Sequence, residues 1–392
     1  MTPQNRNVLI LAVCQALVLS GAVLAMTVGA LVGNELAVNK ALATLPIALN
    51  VVGTALATIP ASLLMQRLGR RAGFVLGTLI GAAGGIVCAA AIQLQSFALF
   101  CAGYILIGAY QGFAGYFRFA AAESVPDARK SRAISYVLTG GVVAAVLGPQ
   151  LVAWGGELLP GRAFLGSYLM LSGFAGLASA LLLLIDIPKP IRAAGQGSGR
   201  PLLAIARQPV FLVAVTGATV GYAVMLLVMT ATPLAMVQHH HEVHDAVWVI
   251  QGHVLAMFAP SFITGALIQR FGVMRVLMAG FALLAAHVLV AASGAEVVHF
   301  FWALVLLGVG WNFSFIAGTT LLMEACLPAE RAKTQAANDF ILFGFVALAS
   351  LSSGWLLRHF GWEPLVYSAL PFLALATMLA MWLVFVVRNR VA

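Results

Sequence analysis

Twelve apolar runs of about 20 residues recur along this chain, near 8–33, 41–66, 72–95, 97–120, 133–154, 163–185, 210–237, 245–268, 274–293, 297–322, 335–357 and 362–387. A run of that length crosses the roughly 30 Å hydrocarbon layer as a helix. Hydrocarbon supplies no partner for a backbone N–H or C=O, so a spanning chain is either helical or a closed barrel. The runs are unbroken rather than alternating, which selects helices. The expected fold class is an all-α membrane protein of twelve transmembrane helices. With 62% hydrophobic and 8% charged residues, a water-soluble globule is excluded. The longest break, 186–209, is rich in Pro, Gly and basic residues. It reads as a cytoplasmic linker between an N-terminal six-helix half, 1–185, and a C-terminal six-helix half, 210–392.

The net charge of +9 resides in the loops, so topology accounts for it. No nucleic-acid partner is expected, and the partner implied is membrane lipid. Placing both termini in the cytoplasm puts eighteen Lys and Arg residues on that side and only Lys40, Arg162 and Arg358 on the other, a strong positive-inside bias. The expected location is the bacterial inner membrane. The first run is long enough to span and has no A-x-A exit, so it reads as a helix rather than a cleaved leader. Cys14, Cys88 and Cys101 fall in apolar runs and Cys326 in a loop, with no C-x-x-C, so neither a disulfide nor a zinc site is expected. The halves repeat. Residues 62–71, SLLMQRLGRR, align with 265–274, GALIQRFGVM, at an offset of 203. Loops at Pro126 and Pro328 also correspond, each followed by a basic cluster (Arg129, Lys130; Arg331, Lys333). A parallel repeat of six helices is an architecture of secondary transporters, which bind substrate near the midplane.

The sharpest chemistry lies between Met225 and Met257, where two apolar arms flank a polar turn. Met225 and Met229 are spaced i, i+4 on one arm, and His253 and Met257 on the other, so each pair shares a helix face. The pairs mirror one another about residue 241. An antiparallel hairpin then sets Met229 level with His253 and Met225 level with Met257, at depths of roughly 12 and 18 Å. Thioether and imidazole donors together favour copper over hard cations. A histidine inside a span is by default functional, whereas methionine pairs at this spacing are ordinarily packing residues. The turn carries His239, His240, His241 and His244, which reads either as a metal-collecting loop or as a solvated turn. His287 has no ligand-type partner one turn away and reads as a satisfied polar residue. Asp339, beside Asn338, and Arg118 are candidates for a gate or a coupling step. Pro233 and Pro260 loosen the two arms near the pocket. A second reading gives Tyr222, Trp311 and Asn312 a small organic solute to hold, with the methionines only packing. No nucleophile–base set, phosphate loop or carboxylate pair supports catalysis, and no cofactor is called for. A non-transporting membrane receptor or assembly factor is the remaining class.

Gln66-Arg67-x-Gly69-Arg70-Arg71 resembles the signature loop of the major facilitator superfamily, G-x-x-x-D-R-x-G-R-[RK], with Ser62 for the first glycine and Gln66 for the aspartate. The resemblance implies the twelve-helix major facilitator fold and alternating access. It implies gating roles for Gln66, Arg67, Gly69, Arg70 and Arg71 and for their second copy, Gln269, Arg270 and Gly272, with the uncharged Gln66 making a weaker latch. Motifs of proton-coupled drug exporters are half present: Gly108 replaces the arginine ahead of Gln111-Gly112, and Val152 and Ala153 replace the glycines after Gly148-Pro149. Met225-x-x-x-Met229 and His253-x-x-x-Met257, with Arg118-Phe119-Ala120-Ala121 and Gly140-Gly141…Gly148-Pro149, look like the CcoA-like copper importers of that superfamily. That likeness implies import of copper, as substrate, for haem–copper oxidase assembly. Met225, Met229, His253 and Met257 would be its metal ligands and a cytoplasmic copper chaperone its recipient. Riboflavin carriers of the superfamily share much of this background, so the organic-solute reading stays open.

Overall fold

The computed structural model describes residues 3–126, 129–159, 163–187, 199–327 and 330–387. Linker residues 188–198, Arg162, Pro328, Arg388 and Arg390, and the side chains of Lys130 and Arg132, lie outside the described residues. The described residues form helices and no strand. They divide into two units, Met1–Arg192 with Ala246–Val254, and Ala193–Asp245 with Leu255–Ala392.

The first unit holds α1 (Pro3–Leu36), α2 (Leu45–Leu68), α3 (Arg70–Gln93), α4 (Phe97–Ala114) continued by α5 (Phe117–Glu123), α6 (Lys130–Leu138) continued by α7 (Gly140–Leu158), and α8 (Ala163–Leu182). The second holds α9 (Leu202–Ala206), α10 (Pro209–Gln238), the end of α11 (Val243–Phe258), α12 (Ser261–Phe271), α13 (Val273–Ala291), α14 (Val297–Glu324), α15 (Arg331–Phe360), α16 (Trp362–Tyr367) and α17 (Leu370–Trp382). Eleven helical spans among the described residues are long and apolar enough to cross a membrane, and α11 with α12 makes a twelfth if that bent pair is one span. The all-α, twelve-span expectation holds, with one correction. The run 245–268 is two helices bent by 41°, because Pro260 has no N–H to continue the ladder and its ring crowds the preceding turn.

Lipid tails give packed helices no hydrophobic reward for associating, so close van der Waals approach must hold them. Small residues permit it. A Cβ on Gly108 of α4 would run into the Asn50 carbonyl of α2, and one on Gly53 of α2 would lie 2.5 Å from the Ile105 carbonyl. In the second unit a Cβ on Gly280 of α13 would sit 2.7 Å from the Ser314 amide of α14.

The sequence repeat is also a backbone repeat. Gly69 (φ 92°, ψ 163°) closes α2 and opens α3, and Gly272 (φ 87°, ψ 150°) closes α12 and opens α13. Each donates its N–H back four residues, to Met65 at 3.0 Å and to Ile268 at 2.9 Å. Glycine adopts this positive φ without the steric penalty other residues incur.

The chain on either side of the linker is tied down within its own unit. Asn7 of α1 donates to the Asp186 carbonyl at 2.7 Å and accepts from its N–H at 3.2 Å. In the second unit Glu330, buried just ahead of α15, grips Arg200. Its carboxylate accepts from Arg200 N–H (2.7 Å), Nε (2.9 Å) and Nη2 (2.7 Å) and from Leu327 N–H (3.0 Å). Lys333 Nζ donates to the Arg200 carbonyl. The Arg200 guanidinium, helped by the Leu327 amide, holds the Glu330 carboxyl down from 4.5 to about 2.

Two expectations follow. Gly108→Ala should cost about 1–3 kcal/mol by overpacking, read as a lower Tm in detergent, while Gly176→Ala, where a Cβ meets nothing within 4 Å, should not lower it. Glu330→Gln should also lower Tm at pH 7. Because the folded carboxyl titrates below its unfolded value, its contribution is full above about 4.5 and disappears as pH falls towards about 2. Native and variant Tm values should therefore converge across that window.

Candidate functional site

The four residues singled out as metal ligands are all buried: Met225 and Met229 on α10, His253 and Met257 on α11. Met225, Met229 and Met257 belong to the second unit, and His253 is grouped with the first. The hairpin turn between α10 and α11 spans only His239–Glu242, and Glu242 and Asp245 cap α11 with a reciprocal capping box. His240 takes a positive φ of 66°. His239 Nδ1 lies 2.8 Å from the Ala235 carbonyl, and His241 Nε2 lies 2.6 Å from that of Ala295. Both rings meet Phe300. Among the described residues no three His, Cys, Asp or Glu side chains come together as a metal-ligand group, so His239, His240, His241 and His244 do not form one. His287 bonds the Ala303 carbonyl at 2.8 Å, tying α13 to α14.

The signature loop lies at the α2–α3 junction. Gln66, Arg67 and Arg71 are exposed. Arg70 is buried and pairs bidentately with Glu123 at the end of α5, at 3.0 and 2.6 Å, with Tyr116 beneath its guanidinium. Arg118, on the same short helix, lies over the Phe119 ring, 4.8 Å from its centroid. The second copy repeats the turn but not the ion pair. Gln269 and Arg270 are exposed, and Val273 stands 203 residues on from Arg70. Asp339 is half-buried on α15 and accepts from Asn338 Nδ2 at 3.0 Å.

The richest constellation lies inside the second unit and involves the residues assigned to an organic solute. Tyr222 of α10 meets Trp311 of α14 edge-on, centroids 5.5 Å apart. Trp311 stacks on Phe315 at 5.2 Å and 8°, and Tyr222 closes the trio against Phe315 at 5.6 Å. Phe258, the last residue of α11, adds a fourth ring at 6.3 Å from Trp311. Trp311 is 8% exposed, and its indole Nε1–H has no hydrogen-bond partner among the described residues. A buried indole N–H ordinarily finds one, so this donor is left unsatisfied. Asn312, next in sequence, is fully buried and turns to the α11–α12 break. Its Nδ2 donates to the Met257 carbonyl at 2.7 Å and to Ser261 Oγ at 2.6 Å. Its Oδ1 accepts from Thr264 Oγ1 at 2.6 Å.

Sequence reasoning named Tyr222, Trp311 and Asn312 but missed Phe315 and Phe258. Phe315 was within reach, since it lies one helical turn beyond Trp311. Phe258 joins the set only through tertiary packing.

Comparison with known proteins agrees with this architecture. A model of the Major Facilitator Superfamily matches residues 8–250 and 213–391. The chain is 44% identical over 376 residues to the riboflavin transporter RfnT of Brucella anthropi, covering 95% of this chain and 94% of that one. It is 32% identical over 353 residues to the uncharacterized transporter YddS of Bacillus subtilis, covering 85% and 80%. Among solved structures, a bacterial homologue of the human lysosomal transporter Spinster, inward-facing and unoccupied, superposes with a TM-score of 0.79 over 97% of this chain and 96% of that one. At 16% identity that likeness concerns the fold alone.

Proposed function

This chain belongs to the Major Facilitator Superfamily, and from that premise we propose that it is a secondary transporter carrying a riboflavin-like flavin across the bacterial inner membrane by alternating access, both termini cytoplasmic. The observation that carries the reading is the 44% identity with a riboflavin transporter over 95% of this chain. The aromatic cluster supports it chemically. Isoalloxazine is a flat, uncharged tricycle that stacks on rings such as Trp311, Phe315 and Tyr222. Its ring carbonyls are acceptors suited to the Trp311 indole N–H. Gating by the Gln66–Arg71 loop and its Gln269–Gly272 copy belongs to the same proposal, as does a coupling role for Asp339.

The distribution of charge sharpens the substrate class. Every Lys and Arg within a spanning segment lies within six residues of its end. A phosphate at membrane depth would find no cation to pair with, so the cargo is the free flavin rather than its phosphate ester. Copper import has weaker support, resting on Met225, Met229, His253 and Met257 and on the likeness to copper importers read from the sequence. Under the flavin reading the methionines are packing residues of α10 and α11, and no copper chaperone is needed.

Growth of a riboflavin-auxotrophic bacterium stripped of its own carriers tests this. The native chain should restore growth on limiting riboflavin, and excess riboflavin phosphate should not compete. Trp311→Ala should reduce uptake by roughly tenfold or more, the scale of losing one stacking partner worth about 1–3 kcal/mol, while the volume-conserving Met225→Leu, which removes the thioether, stays within about twofold. Absence of growth with the native chain would overturn the proposal. So would loss of growth in Met225→Leu with Trp311→Ala unaffected.

A further inference from the structure

The break between α11 and α12 and the aromatic cluster share two consecutive residues on each side. Met257 and Phe258 end α11, and Trp311 and Asn312 face them from α14. Phe258 touches the Trp311 ring, and the Met257 carbonyl accepts from Asn312. Beyond the break, Ser261 and Thr264 of α12 complete the set on Asn312. One asparagine therefore holds both sides of a bent span, and its neighbour belongs to the site where the cargo is assigned. Its orientation is forced. Turning the amide over would aim Oδ1 at the Met257 carbonyl oxygen, acceptor against acceptor, so Nδ2 must face Met257. The Thr264 hydroxyl then shares its single proton between Asn312 Oδ1 and the Pro260 carbonyl at 2.8 Å.

The backbone at this point is loosely made. Ala259 N–H closes on Leu255 at 2.9 Å, after which Phe262 bonds Ala259 at 3.3 Å, and Ile263 and Thr264 share the Pro260 carbonyl at 2.9 Å each. Pro260 contributes no N–H. The bend is thus set by side-chain hydrogen bonds to a degree that an unbroken helix is not. A planar ligand that stacks on Trp311 competes with Phe258 for that ring. Moving Phe258 moves Met257, the residue bonded to it, and with it the carbonyl that Asn312 holds.

We propose that Asn312 is a positioning residue that couples occupancy of the aromatic site to the bend between α11 and α12. The proposal rests on the flavin reading. In it Asn312 leaves the solute-holding set that the sequence suggested, because its amide is engaged by Met257, Ser261 and Thr264; it does not touch the cargo but converts a shift of Phe258 into a change of angle at Pro260. Removing the bridge should leave binding and abolish the conformational response.

The test uses the purified full-length chain in nanodiscs, with spin labels at Ala266→Cys on α12 and Thr320→Cys on α14, both exposed. The native cysteines are all buried and label slowly. Riboflavin should shift the label-to-label distance by more than the width of its distribution. The shift should be absent in Asn312→Ala and in the milder Thr264→Val. Both variants should bind riboflavin, read by quenching of flavin fluorescence, within about threefold of native, and transport it at least about tenfold more slowly. An unchanged distance in the native chain despite riboflavin binding would overturn the coupling alone. So would binding and transport falling together in Thr264→Val, or transport surviving in both variants. Failure of the native chain to bind riboflavin at all would overturn the flavin reading and the coupling with it.

Discussion

A backbone carbonyl in hydrocarbon has no water to turn to, and each unmet polar group there costs several kcal/mol. This structure depends on that constraint. Long helices satisfy it in their interiors, and the described spans are helical apart from short breaks. Glycines at the α2–α4 and α13–α14 contacts let neighbouring backbones approach where lipid offers no hydrophobic reward. Irregular backbone at membrane depth is tolerated only where other groups repair it. The bent pair at Ala259–Pro260 is such a place, and Asn312 is the repair.

That repair lies beside the aromatic cluster, which is consistent with how secondary transporters are built. Proline-interrupted segments in this class mark binding sites, because a broken helix is where a span can both present polar groups and change shape. The rings of Tyr222, Trp311, Phe315 and Phe258 pack there as one cluster, the contact area that the proposed flat solute would use. The signature loop sits elsewhere, at the α2–α3 junction, where Arg70 and Glu123 form an ion pair that the second half replaces with Val273. The halves thus repeat in backbone while differing in charge.

Much of the fold was legible because the bilayer imposes a length on every span, and the apolar runs have that length. The Gly69 and Gly272 turns were legible because few residues accept a φ near 90°. The Pro260 break was half legible: the proline announced a weak point, but not a 41° bend within a run that otherwise reads as one helix. Hydrogen-bond partners far apart in the chain were not legible. Asn312 with Thr264, 48 residues apart, and Arg200 with Glu330, 130 apart, depend on how helices rotate against one another, which periodicity leaves open. The site was ambiguous for a related reason. Met225 with Met229, and His253 with Met257, keep one helix face whether they ligate a metal or fill a core. Spacing, donor chemistry and a resemblance to copper importers pointed to copper, whereas a riboflavin transporter is 44% identical over 95% of this chain.

The most direct measurement of the central claim is flux through the purified protein in liposomes, with radiolabelled riboflavin and copper-64 supplied side by side. The account predicts saturable riboflavin entry above protein-free vesicles, and copper entry no greater than theirs. Copper entry that is lost in His253→Ala, with no riboflavin entry in the native chain, would contradict it and return the hairpin methionines to the centre of the site.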